Sequence, residues 1–384
     1  MKLHFVTAAF LFSAAVASTD AQTLTTLYTF KGSPDGGTPL VGLVHDAYGN
    51  LYGTTFQGGA ANAGTVFKLS RTGKETVLYS FKGFPDGFHP YAGTLAIDLA
   101  GNLYGTTEQG GSSDQGAVFK VDQSGNESIR YSFTGTPDGG IPYGGVIGDN
   151  SGNLYGTTYF GGPPNNGTVF EITANEQETV LHSFAGSPSD GAYSYASLLR
   201  DAHGNLYGTN YQGGTTGNGT VFRVSPGGQE TVLYNFKGTP DGQLPYAGLV
   251  AHNGALYGTT VQGGTNDIGT VFILDSKGNE TVLYSFTGGT DGGLPLGGLV
   301  FDGAGNIYGT TYIGGAFGAG TVFKLDLTGM ETVLHSFTGG KDGANPYFVV
   351  LLRDKAGNLY GTTSDGAGTG CGGSGCGTIF RLTQ

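Results

Sequence analysis

The feature that most constrains this chain is a six-residue motif that recurs at a nearly fixed interval. The motif is Asn-Leu-Tyr-Gly-Thr-Thr or a close variant of it, and successive copies start 50 to 52 residues apart. The copies begin at Asn50, Asn102, Asn153, Asn205, Ala255, Asn306 and Asn358. A period of about fifty residues is typical of a β-propeller blade and exceeds the repeat length of leucine-rich or ankyrin solenoids. Each copy is therefore predicted to mark one blade.

Each repeat contains four short segments with the composition of β-strands. In the first repeat they cover residues 40–46, 50–55, 64–69 and 75–81, and we name them a, b, c and d. They are rich in Val, Leu, Tyr, Phe or Thr and are bounded by Gly, Asp or Asn. The a–b and c–d links are short enough for hairpins, which predicts antiparallel neighbours. Gly53 and its equivalents interrupt strand b, which predicts that another backbone or a ring packs where a Cβ would clash, with the adjacent blade as the candidate.

The two ends of the chain indicate how a ring of blades would close. Residues 23–30 resemble strand d of the repeats, whereas the chain stops just after a strand c at residues 377–382. Pairing these segments completes a seventh blade from both ends, which an open solenoid has no reason to require. The predicted fold is therefore an all-β, seven-bladed β-propeller with four antiparallel strands per blade, the last blade being closed by the N-terminal strand.

The composition agrees with this fold class and excludes others. With 75 Gly among 384 residues the chain is unsuited to long helices, because each Gly in a helix interior costs roughly 1 kcal/mol relative to Ala. The formal net charge is -12, and only 17 residues are Lys or Arg. Nucleic acid is excluded as a partner, since phosphates bind clustered basic side chains. No Gly-x-Gly string opens a helix after a strand, so no cofactor is predicted.

The N-terminus has the three parts of a secretory signal peptide. Lys2 provides the basic region, residues 5–16 are apolar, and small residues permit cleavage after Ala17 or Ala21. An N-terminal membrane anchor is the alternative, although the apolar stretch is shorter than the ~20 residues of a spanning helix. We predict that residues 1–21 are the signal peptide. The remainder, 22–384, is predicted to be a monomer without a membrane span, exported to the periplasm, the cell surface or the medium.

Two cysteines, Cys371 and Cys376, lie five positions apart in a run of Gly and Ser. In an exported protein this spacing predicts a local disulfide. A metal site is the alternative, but two thiolates do not complete the four ligands that zinc usually takes.

The complete repeat resembles a known bacterial repeat. Its order is Gly-Asn-Leu-Tyr-Gly-Thr-Thr, Gly-Gly, Gly-Thr-Val-Phe-Lys-Leu and Glu-Thr-Val-Leu-Tyr-Ser-Phe, followed by Asp-Gly and Pro. This pattern is similar to the Gloeo_Verruco (GloVer) tandem repeat of bacterial exported proteins, and the similarity covers nearly the whole mature chain. The resemblance implies export and a repeat array without an assigned activity. Family members often carry a C-terminal sorting anchor, whereas Gln384 directly follows a predicted strand.

The b–c and d–a loops are predicted to lie on one face of the propeller, and every d–a loop carries an Asp-Gly pair. The aspartates are Asp35, Asp86, Asp138, Asp190, Asp241, Asp291 and Asp342. We interpret them as turn residues whose carboxylates accept backbone N–H groups. Calcium ligation is the alternative, but one carboxylate per blade falls short of the six to eight oxygens that Ca²⁺ takes, so no metal site is assigned.

A tyrosine that follows the d–a loop and a glutamine that opens the b–c loop are the candidate ligand-binding residues. They are Tyr91, Tyr143, Tyr195, Tyr246 and Tyr347, with Gln57, Gln109, Gln212 and Gln262. Aromatic faces with a hydroxyl tip suit sugar rings or a protein partner, and amides could add hydrogen bonds. The alternatives are packing of the loop onto the blade for the tyrosines and solvated loop polarity for the glutamines.

Positions that break the repeat are candidates for specialised chemistry. Glu108 and Asp365 place carboxylates in b–c loops, and such a pair across a channel could act as acid and base on a glycoside. His182 and His335 replace the tyrosine of the outermost strand, which we interpret as a tolerated aromatic substitution. His89 lies at the loop face without an evident Asp or Ser partner, so a nucleophilic triad is not predicted.

The even distribution of polar residues among the repeats favours binding over catalysis, because an active site needs an asymmetric cluster of acids, bases or metal ligands. We therefore predict an exported, non-catalytic binding or scaffolding module for a glycan or a protein partner. The alternatives are a glycan-active or lactonase-like propeller enzyme and a purely structural repeat.

Overall fold

The computed structural model describes residues 22–91 and 93–384, whose regular structure is β apart from a single 3-10 turn at Cys371–Gly373. Seven four-stranded antiparallel sheets follow one another along the chain. This confirms the predicted seven-bladed β-propeller. The predicted signal peptide, residues 1–21, lies outside the described residues. Within the described part of the chain, no helix is long and apolar enough to cross a membrane.

Each blade runs from an inner strand a to an outer strand d. Strands a are Val44–His45, Ala96–Ile97, Ile147–Gly148, Leu199–Arg200, Val250–His252, Val300–Phe301 and Leu352–Arg353. Strands b are Leu51–Thr55, Leu103–Thr107, Leu154–Thr157, Leu206–Asn210, Ala255–Thr260, Ile307–Thr311 and Leu359–Thr363. Strands c are Thr65–Leu69, Ala117–Val121, Thr168–Ile172, Thr220–Val224, Thr270–Leu274, Thr321–Leu325 and Thr378–Thr383. Strands d are Glu75–Ser80, Glu127–Ser132, Glu178–Ser183, Glu230–Asn235, Glu280–Ser285, Glu331–Ser336 and, for the seventh blade, Thr23–Thr29.

The seventh blade is closed by the N-terminal strand, as predicted. Thr23–Thr29 pairs antiparallel with Thr378–Thr383, with Leu24 opposite Leu382. The N-terminal strand is thus the outermost strand of a sheet whose other three strands come from the end of the chain. Pairing between the two ends gives every blade four strands.

Strand a is shorter than the sequence predicts. The prediction covers residues 40–46, but only Val44–His45 pairs with strand b. The residues before it contact the seventh blade instead: the Phe348 N–H donates to the Leu40 carbonyl at 2.8 Å, and Val41 forms a parallel bridge with Phe348. The inner ends of the blades crowd around the axis, so their backbone groups pair between blades rather than within one.

The glycine of strand b makes room for an aromatic ring of its own blade. Gly53 lies opposite Phe67 on strand c, and a Cβ on Gly53 would lie 2.7 Å from Cζ of that ring. The expectation that a ring packs at this glycine is confirmed, but the ring belongs to the same blade and not to the adjacent one. Directly opposed residues in an antiparallel pair are near neighbours, and the fully buried ring of Phe67 folds over the glycine.

The two threonines that end the motif form hydrogen bonds in different directions. The first reaches the next blade in five repeats, as when Thr106 Oγ1 donates to the Gly144 carbonyl at 3.0 Å, whereas Thr310 Oγ1 has no partner among the described residues. The second stays within its blade, as when the hydroxyls of Thr55 and Thr65 lie 2.8 Å apart. These threonines are buried, where an unpaired hydroxyl would be costly. One dipeptide therefore links strands b and c and also links neighbouring blades.

The b–c and d–a loops lie side by side on one face, which we call the loop-rich face. In the first blade Gly36–Gly37 of the d–a loop pairs with Gln57–Gly58 of the b–c loop. The same two-residue ladder recurs in the second, fourth and fifth blades. The a–b and c–d hairpins lie on the opposite, hairpin face, because neighbouring strands are antiparallel.

Cys371 and Cys376 form the predicted disulfide in the b–c loop of the seventh blade. Cys376 is buried, and its carbonyl accepts a hydrogen bond from the Thr38 N–H at 2.9 Å. The disulfide loop is thereby attached to the d–a loop that follows the N-terminal strand.

Candidate functional site

Five tyrosines from the d–a loops meet at the propeller axis on the loop-rich face. With one phenylalanine they form the axial aromatic cluster, which consists of Tyr91, Tyr143, Tyr195, Tyr246, Tyr347 and Phe348. The rings of Tyr143 and Tyr195 are stacked with centroids 4.8 Å apart, and Tyr195 and Tyr246 follow at 4.4 Å. The structure therefore brings together the tyrosines that the sequence singled out.

Phe348 is the buried centre of the cluster. Its ring centroid lies 5.6 Å from those of Tyr91 and Tyr246 and 6.2 Å from that of Tyr195. The tyrosines themselves are half-buried. Packing on Phe348 holds their rings in place, and the part of each tyrosine that remains exposed is the surface that a ligand could contact.

A second layer of aromatic side chains comes from the b–c loops. Tyr159 packs against Tyr143 with ring centroids 5.1 Å apart, and Tyr211 packs against Tyr246 at 4.8 Å. The sequence prediction did not include these residues among the binding candidates. The sequence pattern could have identified them, because an aromatic residue follows the Thr-Thr or Thr-Asn end of the motif in most repeats.

The carboxylate of Glu108 lies beside the cluster and is paired with His89, with Oε1 and Nδ1 3.5 Å apart. The His89 ring lies against Phe56 and Phe88, at centroid distances of 4.1 and 3.7 Å. The sequence prediction considered only Asp or Ser as partners of His89 and did not include Glu108, which the adjacent b–c and d–a loops place beside it. Burial first, and then the charge of Glu108, raise the pKa of Tyr143 to about 12.

Asp365 occupies a different loop position from Glu108. Glu108 directly follows the Thr-Thr pair, whereas Asp365 lies one residue further on, at the position of Gln57 in the first repeat. Its Oδ2 accepts a hydrogen bond from Ser364 Oγ at 2.9 Å, and burial raises its pKa. Its charge, after burial, also raises the pKa of Tyr312. Among the described residues no contact joins Glu108 to Asp365, so the structure does not present them as an acid–base pair.

The predicted glutamines lie in the ladders between the b–c and d–a loops. They are Gln57, Gln109, Gln212 and Gln262. Gln262 Oε1 accepts a hydrogen bond from Gln243 Nε2 at 2.7 Å, and Gln212 is exposed. Because each glutamine belongs to a different blade, their side chains are distributed around the loop-rich face.

The aspartates of the Asp-Gly pairs hold turns, as predicted. In the second d–a loop, Asp86 accepts from the backbone N–H groups of Gly87 at 2.7 Å and Lys82 at 2.9 Å. Tyr79 of the preceding strand d also donates its hydroxyl to Asp86, at 2.8 Å. The carboxylate therefore joins its own loop to the outer strand.

The two histidines that replace this tyrosine keep the same contact. His182 Nε2 lies 2.9 Å from Asp190 Oδ2, and His335 Nε2 lies 3.0 Å from Asp342 Oδ2. The substitution preserves both an aromatic ring and a polar group that reaches the aspartate.

A glutamate from the next blade lies near each of six of these aspartates, and the sequence prediction missed it. These interface glutamates open strands d and are Glu75, Glu127, Glu178, Glu230, Glu280 and Glu331. Burial first, and then the charge of Asp35 in the preceding turn, raise the pKa of Glu75 to about 7. Oε1 of each interface glutamate is buried and has no hydrogen-bond partner within the described structure. The sequence pattern that could have identified them is the recurrent Glu that precedes Thr-Val-Leu-Tyr.

One concavity adjoins the aromatic cluster and another lies apart from it. A cavity of about 370 Å³ lies along the axis below it, with Tyr195, Tyr246 and Phe348 among its lining residues. A groove of about 740 Å³ lies between the seventh and first blades on the hairpin face, with Arg71 and Arg381 among its lining residues. The cluster thus covers the axial cavity on the loop-rich side.

Solved structures match the fold at low sequence identity. The extracellular domain of BT4673 from B. thetaiotaomicron, assigned as a one-component system, gives a TM-score of 0.56 at 10% identity over 92% of this chain. The match covers only 39% of that structure's chain. A protein from Bacteroides uniformis assigned as a 6-phosphogluconolactonase gives a TM-score of 0.52 at 14% identity, over 82% of this chain and 89% of the other. At such identities the similarity shows the fold alone.

Comparison with sequence families gives a more specific result. No curated protein sequence matches this chain. The model of the Gloeobacter/Verrucomicrobia repeat matches it three times, at residues 14–215, 95–303 and 194–384. These overlapping matches confirm the resemblance that the repeat unit indicated. The chain therefore belongs to the Gloeobacter/Verrucomicrobia repeat family.

Proposed function

We propose that this protein is an exported, non-catalytic binding module that recognises a glycan through its loop-rich face. The observation that carries the proposal is the axial aromatic cluster, in which half-buried tyrosines from five d–a loops converge on one surface. Such a convergence concentrates aromatic rings where the loops of all blades meet, and ligands often bind at the mouths of β-structures of this kind.

The chemistry of the cluster suits a sugar. A tyrosine offers a flat apolar face and a hydroxyl tip, which complement the C–H faces and hydroxyl edges of a pyranose. Glu108 and Asp365 add carboxylate acceptors near Tyr143 and Tyr312, respectively. Because the rings already pack on Phe348, they would lose little side-chain freedom on binding, which lowers the entropic cost of association.

Export is part of the proposal. A disulfide joins Cys371 to Cys376, and disulfides persist mainly in oxidising compartments outside the cytosol. The predicted signal peptide at residues 1–21 would provide the route, with the periplasm, the cell surface or the medium as destination. The enzyme alternative has no specific observation in its favour, because Glu108 and Asp365 have separate partners, His89 and Ser364.

A glycan array followed by thermal-shift titration of the hits tests this proposal on the mature protein, residues 22–384. We expect one class of sugar to raise the melting temperature, and we expect Tyr143→Ala and Tyr246→Ala to abolish that rise. Glu108→Gln should weaken it without disturbing the aromatic packing. The matched control is Tyr48→Ala, which removes a tyrosine that is 79% exposed on an a–b turn of the hairpin face.

Three outcomes would contradict the proposal. Binding that persists in both cluster variants would place the glycan site elsewhere. The absence of binding to any glycan on the array would reject a glycan ligand. Turnover of a bound sugar or lactone, lost in Glu108→Gln or in an Asp365→Asn variant, would support the enzyme alternative instead.

A further inference from the structure

We propose that His182, Asp190 and Glu230 bind a divalent transition-metal ion, with Zn²⁺ as the best match, at the junction of the third and fourth blades. His182 lies on strand d of the third blade, Asp190 in the d–a loop that follows it, and Glu230 opens strand d of the fourth blade. One potential ligand atom from each of the three side chains lies within 4.8 Å of the other two. Imidazole and carboxylate groups are ligands that Zn²⁺ takes in proteins.

The first two ligands are already oriented. His182 Nε2 lies 2.9 Å from Asp190 Oδ2, and the imidazole packs edge-on against Phe184 at a centroid distance of 5.2 Å. The Asp190 carboxylate is itself fixed by the backbone N–H groups of Ala185 and Gly191, at 2.7 and 2.6 Å. The two backbone hydrogen bonds to Asp190 are of the kind that position the ligands of protein-bound metals, whereas a bound ion would replace the direct contact between His182 and Asp190.

The third ligand lacks a partner. Oε1 of Glu230 is buried and accepts no hydrogen bond from the described residues. A ligand oxygen of this carboxylate lies within 4.8 Å of ligand atoms of both Asp190 and His182. A bound dication would supply both the missing partner and the positive charge that two adjacent carboxylates require.

The site is specific to this junction because only here do all three ligand types coincide among the described residues. At other junctions a tyrosine, such as Tyr234, occupies the place of His182 and donates its hydroxyl to the aspartate. At the junction of the sixth and seventh blades His335 contacts Asp342, but Leu24 stands where the other blades have the glutamate. That junction is a natural control that has a His–Asp pair and no third ligand.

The required adjustment is small. Ligands at about 2.0–2.2 Å in a tetrahedral site lie roughly 3.4 Å from one another. His182 Nε2 and Asp190 Oδ2, now 2.9 Å apart, must therefore separate slightly, whereas ligand atoms that lie as much as 4.8 Å apart must approach each other by about 1.4 Å. Glu230 is a flexible side chain, and the side chain of His182 is 20% exposed. A fourth position is therefore available for water.

Isothermal titration of the tag-free mature protein with ZnCl₂ at pH 7.5 tests the proposal. We expect one ion per chain and a rise in melting temperature that EDTA reverses. With Co²⁺ in place of Zn²⁺ we expect visible absorption typical of a four-coordinate site. Binding should weaken as the solution is acidified, because protons compete with the metal ion for its ligands.

The variants decide which residues bind the ion. His182→Tyr installs the side chain that most other blades carry, so it should fold normally while weakening Zn²⁺ binding at least tenfold. Glu230→Gln should weaken binding to a similar extent. His335→Tyr should leave it unchanged. Absence of binding by the parent protein, binding that His182→Tyr leaves intact, or loss of binding in His335→Tyr would each overturn the proposal.

Discussion

Tyr79 and Asp86 are joined by a hydrogen bond of 2.8 Å at the point where the first blade meets the second. Glu127, from the second blade, lies near enough for its charge to raise the pKa of Tyr79, after burial and the effects of Asp86 itself. The arrangement recurs at five further junctions with a Tyr or His in the first position. Each of these six junctions therefore brings two carboxyl groups together, and this has a consequence for the dependence of stability on pH.

We expect the melting temperature to fall as the pH rises from about 5 to 8. The folded pKa of Glu127 is about 7, against 4.5 for the unperturbed group, because of burial first and then the charge of Asp86. The folded state thus binds this proton more tightly than the unfolded chain. The resulting stabilisation is complete below the unfolded pKa and is lost as the pH rises through 7. Thermal unfolding measured at half-unit pH intervals checks this slope.

The same pH dependence has an acidic limit. Asp302, in the a–b hairpin of the sixth blade, has a lowered pKa instead of a raised one. Burial acts to raise this pKa, but hydrogen bonds from Asn306 and Tyr308 lower it to about 2. Its contribution is lost only in strong acid, so the maximum should lie between about pH 4.5 and 6. Glu127→Gln should raise the melting temperature at pH 8 and leave it nearly unchanged at pH 5. A pH-independent effect of that substitution would contradict the explanation.

Gly258→Ala should destabilise the fifth blade by about 1–3 kcal/mol, the usual cost of overpacking a core. A Cβ at this position would lie 2.7 Å from Cζ of the fully buried Phe272. Gly303→Ala is the control, because no atom lies within 4 Å of a Cβ built there, and its effect should remain within about 0.5 kcal/mol. Urea unfolding curves of the two variants make the comparison, and equal midpoints would refute it.

Deletion of residues 22–30 should cause the protein to self-associate. The deletion removes the strand that pairs with Thr378–Thr383 and exposes that strand's edge, and exposed edges pair with other chains. Size-exclusion chromatography with light scattering provides the measurement. A deletion variant that stays monomeric with an unchanged melting temperature would show that the N-terminal strand is dispensable for ring closure.

The double substitution Cys371→Ser and Cys376→Ser should lower the free energy of unfolding by about 2 kcal/mol. This is the value expected for a disulfide that closes a loop with a sequence separation of five. The effect should be confined to the seventh blade and should be reproduced by a reducing agent. Hydrogen exchange of the N-terminal strand, whose following loop bonds to Cys376, reports the local change. Unaltered hydrogen exchange in the N-terminal strand would show that the disulfide does not contribute to ring closure.

The architecture could be predicted well because the sequence contains seven copies of the blade motif. Period, strand content, ring closure and the turn role of Asp86 all follow from local patterns that each copy repeats. The inner strand was predicted too long, because Leu40 and Val41 pair with Phe348 of another blade. Such pairing depends on how blades meet around an axis, which no single repeat specifies.

The candidate site was predictable in its residue types but not in its contacts. The tyrosines were identifiable as a series, yet their packing on Phe348 is a property of the assembled ring. The pairing of His89 with Glu108 was missed because the two residues lie in different loops. The interface glutamates were missed for a similar reason, since Glu75 finds its aspartate in the preceding turn, across a blade boundary.

In six of the seven blades, the interface glutamate makes the surface that faces the preceding blade different from the surface that faces the following blade. A repeat presents Glu127 to the blade before it and Asp138, at its exit, to the blade after it. Contacts of this head-to-tail kind are those by which separate subunits assemble into closed rings. The propeller therefore resembles a ring of seven subunits that are joined in one chain. The peptide links keep the blades close together, and the side-chain contacts determine which surface of one blade meets the next. The seventh blade already demonstrates this, since its strands c and d are held together by pairing rather than by a hairpin.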